Sequence, residues 1–108
     1  MFKIYVEDFE IEAIIGILEI EREKAQKIIV NLEIDYKLQT EFLDYAKVVE
    51  LVEEIFVEKR YYLLEDALLE IPEILQSLFN TISKIKLKIT KPDIIKNANV
   101  SVEIEKSF

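Results

Sequence analysis

The chain contains no cysteine and no histidine among its 108 residues. Without thiolate or imidazole donors the usual zinc and iron sites cannot be built, and nucleophile systems based on Cys or on a Ser–His pair are excluded. The same absence removes any disulfide framework. With one glycine and two prolines there is no flexible linker or low-complexity tract. Positive charge is scarce too. Lys and Arg total 14 against 22 Asp and Glu, a formal net charge of −8, which argues against nucleic acid as a partner because phosphates attract basic faces. The longest uncharged apolar stretch, near Ala13–Leu18, falls far short of the roughly 18 residues a membrane span needs. Met1–Asp8 shows no basic region followed by an apolar signal core. A cytoplasmic protein with no membrane partner is therefore expected. Its chemistry must rest on carboxylates, lysines, tyrosines and ordered water.

What is present is an ordinary globular mixture, 51% hydrophobic and 33% charged, in a length that suits one domain over residues 1–108. Phe9, Ile11, Ala13 and Ile15 share one parity with Glu10 and Glu12 opposite, the pattern of a half-buried strand. Phe2, Ile4 and Val6 lie on the other parity, so a bulge or bend near Asp8 is expected within one long strand. Gly16 and the charged 19–24 stretch connect it to a second strand over 27–37, with Ile28, Val30, Leu32, Ile34 and Tyr36 inward. The period then changes. Val48, Val49, Val52, Ile55 and Phe56 recur at helical spacing, with Asp44 as N-cap. A second helix carries Leu64, Leu68, Ile71, Leu75, Leu78 and Phe79 on one face, and Pro72 inside it should kink or interrupt it.

Two more strands close the pattern. Ile85, Leu87 and Ile89 alternate with Lys84, Lys86 and Lys88, and Ala98, Val100, Val102 and Ile104 alternate with polar residues. The order β-β-α-α-β-β predicts an α+β fold, a four-stranded antiparallel sheet with two helices on one face. Strand edges left free can pair with a neighbouring copy, so a homo-oligomer is expected.

Four residues fit poorly as scaffold. Lys91 shares the inward parity of Ile85, Leu87 and Ile89, and Pro92 after it should end the strand. Either Lys91 is partly buried, where a lysine can act as general acid or base, or the strand has already turned and it is a solvated edge charge. Glu21 is one of three acids in Glu19–Glu23 and reads equally as a loop carboxylate. Glu65 opens the second helix, where the dipole alone favours an acid. Tyr45 follows the Asp44 cap, where a tyrosine commonly just packs.

As an ordered set, Gly16…Glu21-Arg22…Gln26, Leu43-Asp44-Tyr45, Leu63-Leu64-Glu65 and Thr90-Lys91-Pro92…Ala98-Asn99-Val100 resembles dihydroneopterin aldolase of folate biosynthesis. The resemblance spans nearly the whole chain. It implies a tunnelling-fold subunit whose sheets join four copies into a barrel ring, as a homo-tetramer or stacked homo-octamer, with active sites between subunits. It implies a small-molecule pterin substrate, no metal and no cofactor. By position, Glu65 matches the glutamate that grips the pterin's amino-pyrimidine edge and Leu64 the neighbour whose backbone touches the ring. Glu21 matches the glutamate beside the catalytic lysine, Tyr45 the tyrosine at the side-chain hydroxyls, and Lys91 the lysine that drives proton transfer.

The implied reaction is a retro-aldol cleavage to 6-hydroxymethyl-dihydropterin and glycolaldehyde, in which the ring takes up the electrons and the protein moves protons. The zinc-dependent enzymes of the same fold do not suit a chain lacking His and Cys. The sequence departs from the family pattern in a short 38–44 segment, in Asp93-Ile94-Ile95 after Pro92, in Leu18 where an aromatic is common, and in Pro72. Two rival functions stand beside the aldolase. A dihydroneopterin triphosphate epimerase would use the same residues, but its triphosphate calls for clustered cations and the chain has only Arg22 and Arg60 as arginines. A non-catalytic pterin-binding ring protein is the other.

Overall fold

The computed structural model describes residues 1–108. Its elements run β1 (Phe2–Ala13), α1 (Glu19–Glu23), β2 (Gln26–Tyr36), α2 (Tyr45–Lys59), α3 (Leu64–Leu78), β3 (Ile82–Ile95) and β4 (Ala98–Ser107). The strands form one antiparallel sheet in the order β1-β2-β3-β4. On one face α2 packs over β1, and α3 over β3 and β4. The α+β architecture expected from the residue pattern is the one observed, with one addition: the first connection holds a single helical turn, α1.

Strand parity places the core. Ile28, Val30, Leu32 and Ile34 on β2 and Ile85, Leu87 and Ile89 on β3 are almost wholly buried against Val48, Val52 and Phe56 of α2 and Leu68, Ile71 and Leu75 of α3. Each such side chain contributes about 1.5–3 kcal/mol by leaving water. The parity flip in β1 is a bulge. Val6 pairs with Leu32 and Phe9 with Val30, so one extra residue is inserted. Asp8 takes the left-handed conformation there (φ 54°), which aspartate tolerates better than most residues. Its N–H, lost to the ladder, donates to Asn31 Oδ1 at 2.8 Å. Ile4 and Val6 before the bulge and Phe9, Ile11 and Ala13 after it thereby reach the same side.

Asp44 caps α2 by accepting from the Ala46 N–H at 3.0 Å. Three expectations are corrected. Pro92 does not end β3, which continues to Ile95. The β2 ladder stops at Thr90, and the β4 register breaks between Lys91 and Ile95, so the N–H that proline lacks falls where no partner is required. Pro72 does not interrupt α3, which runs unbroken with Pro72 buried in the core; apolar burial along this face offsets the one missing bond. Leu78 lies outside the core, exposed at the last turn of α3.

The opposite sheet face is charged. Lysines 84, 86 and 88 of β3 run between Asp35, Glu33 and Asn31 of β2 and Glu105 and Glu103 of β4. Ion pairs lace it: Lys86–Glu33 at 3.7 Å, Lys3–Asp35 at 3.6 Å, and Lys84–Glu105.

Candidate active site

Lys91 ends the inward row of β3, just past the point where β2 stops covering it. Its Nζ lies 2.7 Å from Glu21 Oε2, with the side chains 11% and 6% exposed. Of the alternatives open for each residue, the buried one holds for both. Glu21 is the third residue of α1, and its carboxylate folds back to accept the Leu18 N–H at 3.2 Å, half of a capping box. Gln26, at the start of β2, donates through Nε2 to Glu21 Oε2 at 2.9 Å and to the Ile15 carbonyl at 2.8 Å. Burial pushes the Glu21 carboxyl up, but the donors Lys91, Gln26 and Leu18 outweigh it, and it is held below the ordinary carboxylate value. The Glu21 carboxyl is therefore ionised at neutral pH, and no buried polar side-chain atom in the molecule lacks a partner.

Gly16 makes room for this arrangement. It sits at φ +127°, a conformation L-residues rarely adopt, and a Cβ added there would lie 2.2 Å from Glu21 Cδ. The chain's one glycine is thus placed where a carboxylate must cross the backbone. Gly16 N–H also donates to the Tyr61 carbonyl at 3.0 Å, joining this loop to the turn between α2 and α3. Arg22, next to Glu21, spans the same gap: Nη1 donates to Gly16 O (3.2 Å) and Tyr61 O (3.1 Å), and Nη2 to Arg60 O (2.9 Å).

A cleft of about 460 Å³ opens beside Glu21 and Gln26, walled by Ile20, Asp93 and Ile94. A hollow of about 390 Å³ on the charged sheet face, beside Tyr5 and Lys88, is lined by no buried polar residue. Only the first adjoins a buried ionisable pair, the combination that marks a reactive site. No group of three or more acidic side chains is gathered as a metal would require.

The family model for FolB, dihydroneopterin aldolase, matches residues 4–105. The chain belongs to the dihydroneopterin aldolase family. Solved structures agree. A Vibrio cholerae chain assigned as dihydroneopterin aldolase (FolB) superposes with a TM-score of 0.91 at 27% identity, over 100% of this chain and 98% of that one. Escherichia coli dihydroneopterin aldolase in complex with neopterin gives 0.89 at 26% identity, over 99% and 100%. A Burkholderia dihydroneopterin aldolase bound to guanine gives 0.80 at 16%, over 99% and 91%, a likeness of fold. No curated protein sequence matches the chain. The protein is accordingly an enzyme, an aldolase of the lyase class.

Against that family, the positions expected to act fall into two groups. Glu21 and Lys91 touch. Leu64 and Glu65 open α3, immediately after the Arg60–Tyr61 carbonyls that Arg22 and Gly16 hold, with Leu64 buried and Glu65 exposed. Tyr45 is elsewhere: it is the first residue of α2 and 65% exposed. The length of α2, fifteen residues and about 22 Å, separates it from the turn that meets Gly16. Within one chain it cannot reach the Glu21–Lys91 pair. Gln26 and Arg22 were visible only as members of a motif. Their contacts join segments 5 to 39 residues apart, and neither periodicity nor charge pattern signals them. Tyr61 is similar: it is buried, its hydroxyl donates to Glu70 Oε1 at 2.7 Å, and burial and that carboxylate raise its pKa.

Proposed function

We propose that this aldolase cleaves 7,8-dihydroneopterin into 6-hydroxymethyl-7,8-dihydropterin and glycolaldehyde, without a metal, as a step of folate biosynthesis. The observation that carries the reading is the buried Lys91–Glu21 pair beside a cleft, in a chain of the dihydroneopterin aldolase family. Glu65 receives the substrate's amino-pyrimidine edge. A carboxylate accepts ring N–H and exocyclic NH₂ together, much as it accepts an arginine fork; the Leu64 backbone completes that grip.

Catalysis then needs only proton transfers. The side-chain 2′-hydroxyl loses its proton to a water held by Tyr45. The C1′–C2′ bond breaks, its electron pair moves into the ring's C6–N5 system, and glycolaldehyde leaves. Lys91, relayed by water, delivers a proton to N5, and the resulting enol gains its proton at C1′ as N5 gives one up. Glu21 keeps Lys91 aimed between these transfers. Re-addition of glycolaldehyde before release inverts C2′, so epimerisation is a side reaction of the same chemistry.

The distance of Tyr45 from Lys91 supports a site completed by a second copy, in a homo-tetrameric or homo-octameric ring. The free edges of β1 and β4 are the surfaces such a ring would join. The test is glycolaldehyde release from 7,8-dihydroneopterin, set against turnover of its triphosphate. Release from the uncharged substrate is expected. A marked preference for the triphosphate would transfer the chain to the epimerase reading, and pterin binding without release to the non-catalytic one.

A further inference from the structure

α1 is a single turn, yet two neighbouring residues on it grip different parts of the molecule. Glu21 points to Lys91 on β3. Arg22, about 100° further round the helix, points to the turn that ends α2 and begins α3. There its guanidinium meets three carbonyls, those of Gly16, Arg60 and Tyr61, and lies 3.8 Å from the centroid of the Tyr62 ring. Arg60 is itself in the left-handed region (φ 47°), which a non-glycine residue holds only when its surroundings compel it; Arg22 Nη2 is the donor on its carbonyl. Tyr61 O is shared between Arg22 and the Gly16 N–H. Two residues beyond Tyr62 the chain enters α3 at Leu64 and Glu65.

We propose that Arg22 is a positioning residue of the active site: by tying α1 to the Arg60–Tyr62 turn it sets the separation between the Glu21–Lys91 pair and the start of α3. This rests on the reading above, in which Glu65 grips the pterin and Lys91 moves the proton. The substrate spans both groups at once, so an error of about 1 Å in their spacing weakens binding and turnover far more than it weakens the fold. Lysine cannot replace the planar fork, because it carries one point of donors where three carbonyls in two directions need serving.

The experiment compares Arg22→Lys, Tyr62→Leu and Val52→Ala with wild type, measuring thermal midpoint, equilibrium binding of neopterin, and kcat and KM on 7,8-dihydroneopterin. Val52 is buried in the middle of α2, away from the turn, and serves as a control for destabilisation alone. Arg22→Lys is expected to weaken neopterin binding about tenfold, with KM rising and kcat falling together. Tyr62→Leu, which removes only the exposed stacking surface and leaves a folded chain, is expected to weaken it about threefold. Val52→Ala should lower the midpoint and leave neopterin affinity unchanged. Wild-type affinity in Arg22→Lys and Tyr62→Leu, or an equal loss in Val52→Ala, overturns the assignment. A wild-type protein that neither binds neopterin nor releases glycolaldehyde overturns the underlying reading as well, which separates the two failures.

Discussion

Strand β3 carries lysines of two kinds. Lys84 and Lys86 stand on the charged sheet face, 40% and 42% exposed, each beside an acid on a neighbouring strand. Lys91 stands on the other parity, 11% exposed, beside an acid that reaches it from α1 rather than from the sheet. The residue types are the same, yet the surroundings differ. An exposed pair is screened and readily exchanged for water, so it is worth little. A buried pair cannot lose one partner without stranding the other. The teaching is that in this molecule the ion pair to watch is set by what encloses it, not by how many neighbours of opposite sign it has.

The largest effect expected is on activity. Lys91→Ala should reduce glycolaldehyde release about 10³-fold and destabilise the fold by about 3 kcal/mol, because Glu21 keeps its burial and loses its cation. Lys86→Ala should leave both turnover and thermal midpoint unchanged. Equal behaviour of the two variants would erase the distinction between the pairs.

Next comes the backbone beneath the buried pair. Gly16→Ala puts a Cβ into the Glu21 carboxylate at a φ alanine resists. A loss of about 3 kcal/mol in urea unfolding is expected, with turnover falling at least about tenfold as Lys91 loses its aim.

The smallest effect is the acid response. Glu21 and Glu105 are both held below the ordinary carboxylate value of 4.5. For Glu21, burial pulls upward and its donors overcome it; for Glu105, the hydrogen bond from Lys84 leads. Folding thus lowers both values, so each group stabilises the fold fully above about pH 4.5 and loses that contribution as pH falls through its lower, folded value. In about 0.5 M salt the Glu105 share should vanish and the Glu21 share persist. Urea midpoints followed against pH for Glu21→Gln and Glu105→Gln at both salt levels would show it. A Glu21 share that also vanished in salt would mean the pair is open to solvent.

The sheet was legible where a residue's fate depends on its own alternation. The Asp8 bulge follows from a parity flip that no uninterrupted strand could accommodate, and β2 follows from five inward residues in step. The Asp44 cap needs only its own side chain. What stayed hidden depends on partners distant in sequence. Pro92 is tolerated because β2 happens to stop at Thr90, and Pro72 because the helix around it is buried. Glu21 was indistinguishable from Glu19 and Glu23 by composition. Its burial comes from Lys91, 70 residues away, and from a glycine whose backbone leaves space. The family resemblance pointed to Glu21, the one of the three that is buried; nothing in the local pattern did.

The length of α2 has a consequence for how the enzyme responds to its own concentration. If Tyr45 takes part as proposed, a chain that keeps it a full helix away from Lys91 carries two unfinished halves and no finished centre. On the proposed division of labour, catalysis is a property of a contact between molecules. Below the concentration at which that contact forms, the rate should fall with the square of the amount of protein. A cell could therefore silence the reaction by thinning the protein out, with no inhibitor at all.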